Sequence, residues 1–213
     1  MRIMPKRGLF IDFEGPDKSG KTTQLEKAGE YLRSFGFDVL ETHEPGGGDP
    51  EIRKKLLDMK NRLTPEEELN LFCADRELHV SRIIKPALKA GRIVLCDRYE
   101  PSTIAYQGFG RGLDLNMIRL KSAEARQAIW PDAIIFFDGN PEIFLRRGEL
   151  TTRFDQEKLD FHNRVREGFL EVAQTDFSYR CVINAELSIE EVWQNVKACL
   201  HNVLKEKLGV DPR

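Results

Sequence analysis

The 213 residues carry 33 Lys and Arg against 35 Asp and Glu, a net charge of −2, with 40% hydrophobic residues. That balance excludes a general nucleic-acid or membrane-surface binder, and no run approaches the ~18 apolar residues of a membrane span. Length and apolar content suit one α/β domain over residues 1–213, with one substantial core.

The basic stretch Met1 to Arg7 runs straight into an apolar strand rather than a signal-peptide core, so a soluble cytoplasmic protein is expected. The first predicted strand spans 8–13. After it, Gly15-Pro16-Asp17-Lys18-Ser19-Gly20-Lys21-Thr22-Thr23 fits G-x-x-x-x-G-K-[ST], the loop that cradles a polyphosphate. Glycines let successive backbone N–H groups curl around phosphates, Lys21 neutralises the β- and γ-phosphates, and the Thr22 hydroxyl can ligate Mg²⁺. The helix predicted over 20–35 points its N-terminus at the same anion.

A strand over 37–43 leads into His43-Glu44-Pro45-Gly46-Gly47-Gly48, followed by helices over 51–59 and 66–90, the second announced by Thr64-Pro65-Glu66-Glu67. Phe72 and Arg76 lie one turn apart on that helix, so a ring and a guanidinium can stack on and hydrogen-bond a nucleobase. On spacing alone, Leu69, Leu71, Phe72 and Leu78 read equally as a core stripe. The strand over 92–97 ends in Asp97, placed as the second carboxylate near Mg²⁺ in P-loop enzymes, with Arg98 facing the same pocket. Ser102-Thr103-Ile104-Ala105-Tyr106-Gln107 offers hydroxyl and amide groups to a ring edge, although ordinary polar helix starts look alike.

Further on come a helix over 115–129, a strand over 133–138 ending at Asp138-Gly139-Asn140, a helix over 141–148, and a short lid over 146–155. Helices over 156–175 and 188–206 flank a strand over 180–184, and Lys205 to Arg213 reads as a solvated tail. The alternation predicts a parallel sheet covered on both faces, with ligands beyond the carboxyl ends of the strands. Cys73, Cys96, Cys181 and Cys199 lack C-x-x-C spacing, so reduced, mostly buried thiols are expected rather than a zinc site or disulfide framework. Phosphoryl transfer needs fixed cations around donor and acceptor phosphates. The candidates are Lys18, Arg53, Arg76, Arg98 and the lid-flanking Arg146, Arg147 and Arg153, with a solvated helix face the stronger reading for Arg146 and Arg147.

Glu44-Pro45-Gly46-Gly47, Leu71-Phe72-Cys73-Ala74-Asp75-Arg76, Asp97-Arg98-Tyr99 and Ser102-Thr103-Ile104-Ala105-Tyr106-Gln107-Gly108 together resemble the bacterial type of thymidylate kinase, in order and spacing, over nearly the whole chain. The resemblance implies a three-layer P-loop NTPase fold with a five-stranded parallel sheet, a homodimer, Mg·ATP as donor and dTMP as acceptor, serving dTTP biosynthesis. It implies that Gly15 to Thr23 bind ATP and that Asp17 contacts the sugar 3′-hydroxyl. Arg53 and Arg98 become acceptor-phosphate ligands, Phe72 the thymine stack and Arg76 the donor to its exocyclic oxygen. Ser102 or Thr103 would meet the ring edge, and Tyr106 and Gln107 the deoxyribose.

Three departures stand out. His43 replaces the usual Arg before E-P-G-G, the lid is shorter than the Arg-rich bacterial one, and Lys18 occupies a position often held by a small residue. A shared transition-state role for Lys18 and Arg153 is the expectation, with Lys21, Arg98 and Asp97 completing the catalytic set and Thr22 with Asp97 the metal set. A kinase for another deoxynucleoside monophosphate is the competing enzyme reading. A nucleotide-dependent switch is opposed by the absence of N-K-x-D and by the surplus of acceptor-side cations.

Overall fold

The computed structural model describes residues 8–149, 151–175 and 179–210. Residues 1–7, Leu150 of the lid and residues 211–213 of the tail, all read above from sequence, lie outside them. Strands β1 (Leu9–Glu14), β2 (Val39–His43), β3 (Ile93–Asp97), β4 (Ala133–Asp138) and β5 (Tyr179–Asn184) form one sheet in the order β2-β3-β1-β4-β5. Every pairing is parallel, as the alternating pattern predicted.

Both faces of the sheet are covered, which is why its strands read as continuous apolar runs. On one face Leu9, Ile11 and Phe13 pack with helices α1 (Lys21–Ser34) and α9 (Ile189–Leu208). On the other, Phe10, Val94 and Cys96 meet α4 (Lys85–Lys89), while Ile134 and Phe136 meet α6 (Leu115–Ala125) and α8 (Leu159–Ala173). The remaining helices are α2 (Pro50–Leu57), α3 (Pro65–His79), α5 (Glu100–Thr103) and α7 (Pro141–Leu145). Capping boxes at Thr64/Glu67 and Ser188/Glu191 start α3 and α9 where the sequence placed those signals.

The helix predicted over 66–90 is broken into α3, a π-helical turn over Val80–Ile84, and α4. Pro86 has no N–H for the carbonyl four residues back, and the ladder widens just ahead of it, Lys85 N–H bonding Val80 O. A second π-helical segment, Ile104–Gly110, was not predicted as a helix. Its wide turn presses against α8 at Gly168, where a Cβ would come within 2.8 Å of Ala105 Cα and 2.9 Å of the Phe109 ring. Only glycine permits that approach.

One expectation is overturned. Cys181 and Cys199 form a disulfide, with Cα atoms 6.3 Å apart, while Cys73 and Cys96 are free. The chain turns after β5 and α9 packs back over that strand, so two cysteines 18 residues apart in sequence meet in space. Linear spacing carried no sign of this.

Asp12 departs from the apolar rule of β1: it is fully buried, and neither carboxyl oxygen finds a hydrogen-bond partner among the described residues. Burial first, then neighbouring Glu14 and Glu44, push its pKa well above the usual carboxylate range.

Candidate active site

The parallel register brings His43 and Phe13 level with Asp97 at the carboxyl edge of the sheet. A cleft of about 660 Å³ opens there. At one end Gly20, with φ +91°, turns the chain into α1, which starts at Lys21. The ammonium of buried Lys21 donates to Pro16 O at 2.8 Å, and Ser19 Oγ bonds the same carbonyl at 2.8 Å. Burial, and then Arg98, push the Lys21 pKa down to about 8, against the opposing pull of Asp97, Asp17 and Glu14.

Thr22 Oγ1 donates to Asp97 Oδ2 at 2.7 Å. The other carboxylate oxygen, Asp97 Oδ1, is buried with no hydrogen-bond partner among the described residues. A hydroxyl beside a carboxylate with an unspent oxygen is an all-oxygen donor pair suited to a hard divalent cation, so these residues fit Mg²⁺.

Arg98 follows with φ +76°, a left-handed backbone that turns its guanidinium across the cleft. Its Nη2 donates to Asp17 Oδ1 at 2.7 Å and its Nη1 to Ser102 Oγ at 2.9 Å. Tyr106 Oη donates to Asp17 Oδ2 at 2.8 Å. Partial burial works against charge on Asp17, but Arg98 and Lys21 outweigh it and hold its pKa below the usual range. Beneath them buried Glu14 accepts from Tyr99 N–H at 2.8 Å, Ser102 N–H at 3.2 Å and Ser102 Oγ at 2.5 Å.

At the far end lies Arg76, 1% exposed. Its Nε donates to Glu44 Oε2 at 2.8 Å and its Nη2 to Thr103 Oγ1 at 2.9 Å. Its Nη1 has no hydrogen-bond partner among the described residues. Burial disfavours that charge, yet Glu44 more than compensates and raises the pKa further. Glu44 Oε1 also hydrogen-bonds His79 Nδ1 at 3.0 Å. Phe72 shares the cleft wall with Arg76. A ring beside a guanidinium with one spare donor is a recognition unit for a flat ring bearing a carbonyl.

Comparison with known proteins over most of the chain points the same way. A family model described as "Thymidylate kinase" matches residues 13–196. The chain belongs to the thymidylate kinase family. A thymidylate kinase of Maridesulfovibrio salexigens is 43% identical over 203 residues, covering 89% of this chain and 94% of the relative. One from Geobacillus sp. is 42% identical over 195 residues, 88% of this chain and 93% of the relative. The crystal structure of thymidylate kinase from Ehrlichia chaffeensis superposes with a TM-score of 0.76 at 33% identity, covering 91% of this chain and 98% of that one.

Most positions taken from the thymidylate kinase resemblance meet on the cleft. Asp17, Lys18, Gly20, Lys21, Thr22 and Thr23 line its P-loop end, and Arg53, Phe72, Arg76, Ser102, Thr103, Tyr106 and Gln107 its other side, with Asp97 and Arg98 between. Arg53 Nη1 donates to Pro45 O at 2.7 Å. His43 lines the cleft as well, its pKa lowered by burial and then by Arg53. Lys18 reaches the lid, donating to Gly148 O at 3.1 Å and lying 3.7 Å from Asp155.

Of the lid-flanking arginines, Arg146 takes the solvated helix face the sequence favoured, whereas Arg147 and Arg153 are placed otherwise. Arg147 lines the cleft, donating to Ala185 O at 2.9 Å, whereas Arg146 is exposed and pairs with Glu142 at 2.5 Å. Arg153 is not among the cleft-lining residues: it donates to Leu56 O at 2.5 Å and pairs with Glu68 at 2.7 Å. Sequence reasoning also passed over Glu14, Glu44 and Asp75. The last accepts from the backbone N–H groups of Gly46, Gly48 and Asp49 and so shapes the E-P-G-G loop. Their signal was present in acids within or beside the motifs: Glu14 directly before the P-loop, Glu44 opening E-P-G-G, and Asp75 directly before Arg76.

Proposed function

We infer that this chain transfers the terminal phosphoryl group of Mg·ATP to dTMP by in-line displacement, giving dTDP and ADP in the supply of dTTP. One observation carries the reading: a single cleft joins the P-loop to a buried arginine whose Nη1 is unspent beside Phe72. The P-loop amides and Lys21 hold the donor phosphates. Thr22 and Asp97 would hold Mg²⁺, which neutralises charge on the β- and γ-oxygens. Arg98 and Arg53 hold the acceptor phosphate, and Asp17 with Tyr106 faces the sugar. Arg76 donates to the exocyclic oxygen of thymine, against which Phe72 stacks, with Thr103, Ser102 and Gln107 around the nucleoside. Lys18 and Arg147, at the lid's contact with the cleft, supply further charge to the migrating group and help exclude water.

The same reading takes residues 1–213 as one domain that works as a homodimer in the cytoplasm. Leu120 on α6 is 69% exposed, consistent with a covered face, and no helix among the described residues is long and apolar enough to cross a membrane. Light scattering tests the dimer. A coupled assay of ADP formation with dTMP, dUMP, dCMP, dGMP and UMP, and an acceptor-free control, tests the reaction. Strong preference for dTMP is expected, and ATP hydrolysis indifferent to acceptor overturns the reading.

A further inference from the structure

Beyond contacting the P-loop through Lys18, the lid enters the acceptor pocket. Phe154 is 4% exposed and lines the cleft, with its ring centre 6.3 Å from that of Phe72 and edge-on to Tyr106 at 5.6 Å. Arg153 lies over this ring at 4.7 Å and is tied to Glu68 at 2.7 Å. Glu68, 1% exposed, also accepts from Gln107 Nε2 at 3.1 Å and pairs with Arg111 at 3.1 Å. On α3, Glu68 precedes Phe72 by one turn and Arg76 by two, so all three share a helix face.

We propose that Phe154 is a specificity-determining wall of the acceptor nucleoside pocket, and that Arg153 is a positioning residue that sets this wall through Glu68. Withdrawing Arg153 toward a phosphate would strip a buried carboxylate of one of its two cations. Its Nε also donates to the Leu56 carbonyl and its plane covers the Phe154 face, while its Nη2 is buried with no hydrogen-bond partner among the described residues. The lid arginine on the cleft itself is Arg147. Closing the lid and closing the nucleoside pocket are then one event, and acceptors that cannot meet Phe154 leave the lid unseated. The inference rests on the kinase reading above.

Steady-state kinetics with both substrates varied tests it on wild type, Phe154→Ala, Phe154→Leu, Arg153→Ala, Arg153→Lys and the Phe154→Ala/Arg153→Ala double variant. Phe154→Ala is expected to raise KM for dTMP tenfold or more, with less than a threefold change in KM for ATP. Phe154→Leu, which keeps apolar bulk and guards against a folding defect, falls between. Arg153→Ala shows the same split to a smaller degree, Arg153→Lys recovers part of it, and the Phe154→Ala/Arg153→Ala double variant is no worse than Phe154→Ala. A hundredfold loss of kcat in Arg153→Ala at saturating substrates with KM for dTMP unchanged overturns the proposal, as does an unchanged KM for dTMP in both Phe154 variants. Wild-type preference for another acceptor would instead overturn the dTMP reading, and the KM split measured with that acceptor would still judge the wall.

Discussion

The two ends of the cleft are held in opposite ways. At the P-loop end the candidate ligand-binding side chains are engaged locally: Lys21 donates to the backbone carbonyl of Pro16, and Thr22 to one oxygen of Asp97. In the proposed reading those contacts open when phosphates and metal enter. At the acceptor end Arg76 is fixed in place by Glu44 and Thr103 and retains one unspent nitrogen. A triphosphate brings enough charge to rearrange its host, whereas a neutral base must find its donors already aimed.

The largest expected effect comes from breaking the prebuilt end. Arg76→Met leaves Glu44 buried at 4% exposure with one partner fewer. Unfolding free energy by denaturant titration should drop about 3–5 kcal/mol, with preference for dTMP over dCMP reduced in the folded fraction. Lys21→Met disturbs the adaptable end differently. Stability should hold, because Lys21 lies against a carbonyl rather than a single fixed carboxylate, while turnover falls on the order of 10²–10³-fold. Since the Lys21 pKa is depressed to about 8, its charge is lost as pH rises through that value. The wild-type kcat/KM for ATP should therefore decline above about pH 8, with the kcat/KM for dTMP at saturating ATP less affected.

Asp12 sharpens the contrast from beneath both ends. Its folded-state pKa is raised, so the unfolded chain ionises first and stability falls as pH climbs from the unfolded value toward the folded one. Asp12→Asn removes that loss, and should stabilise by about 1–3 kcal/mol at pH 8 and by less at pH 5, measured by melting at the two pH values. The smallest effect is expected of Thr103→Val, which withdraws one acceptor from Arg76 Nη2. A cost of about 1 kcal/mol is expected in stability, with a few-fold rise in KM for dTMP.

The P-loop, the five strands and the Phe72–Arg76 pair were legible because each is written in consecutive or one-turn spacing. Where the chemistry depends on what a distant element supplies, the sequence misled. Arg147 and Arg153 look alike in a basic lid, but only the first lies on the cleft, because Glu68 of α3 holds the second. The stretch from Ser102 could be read as a polar helix start, but the two glycines of Ile104–Gly110 argued against its continuing; packing against α8 carries that segment. The disulfide depended on the return path of α9 over β5.

Asp17 belongs to the loop that the proposed reading gives to ATP, and its carboxylate is bound to Arg98, which that reading gives to the acceptor phosphate. An acceptor phosphate that draws on Arg98 loosens its hold on Asp17, and a donor that reshapes the loop moves the carboxylate against which Arg98 is braced. If the chain binds the two nucleotides as proposed, the dissociation constant of each is expected to depend on whether the other is present, by the same factor in either order of addition.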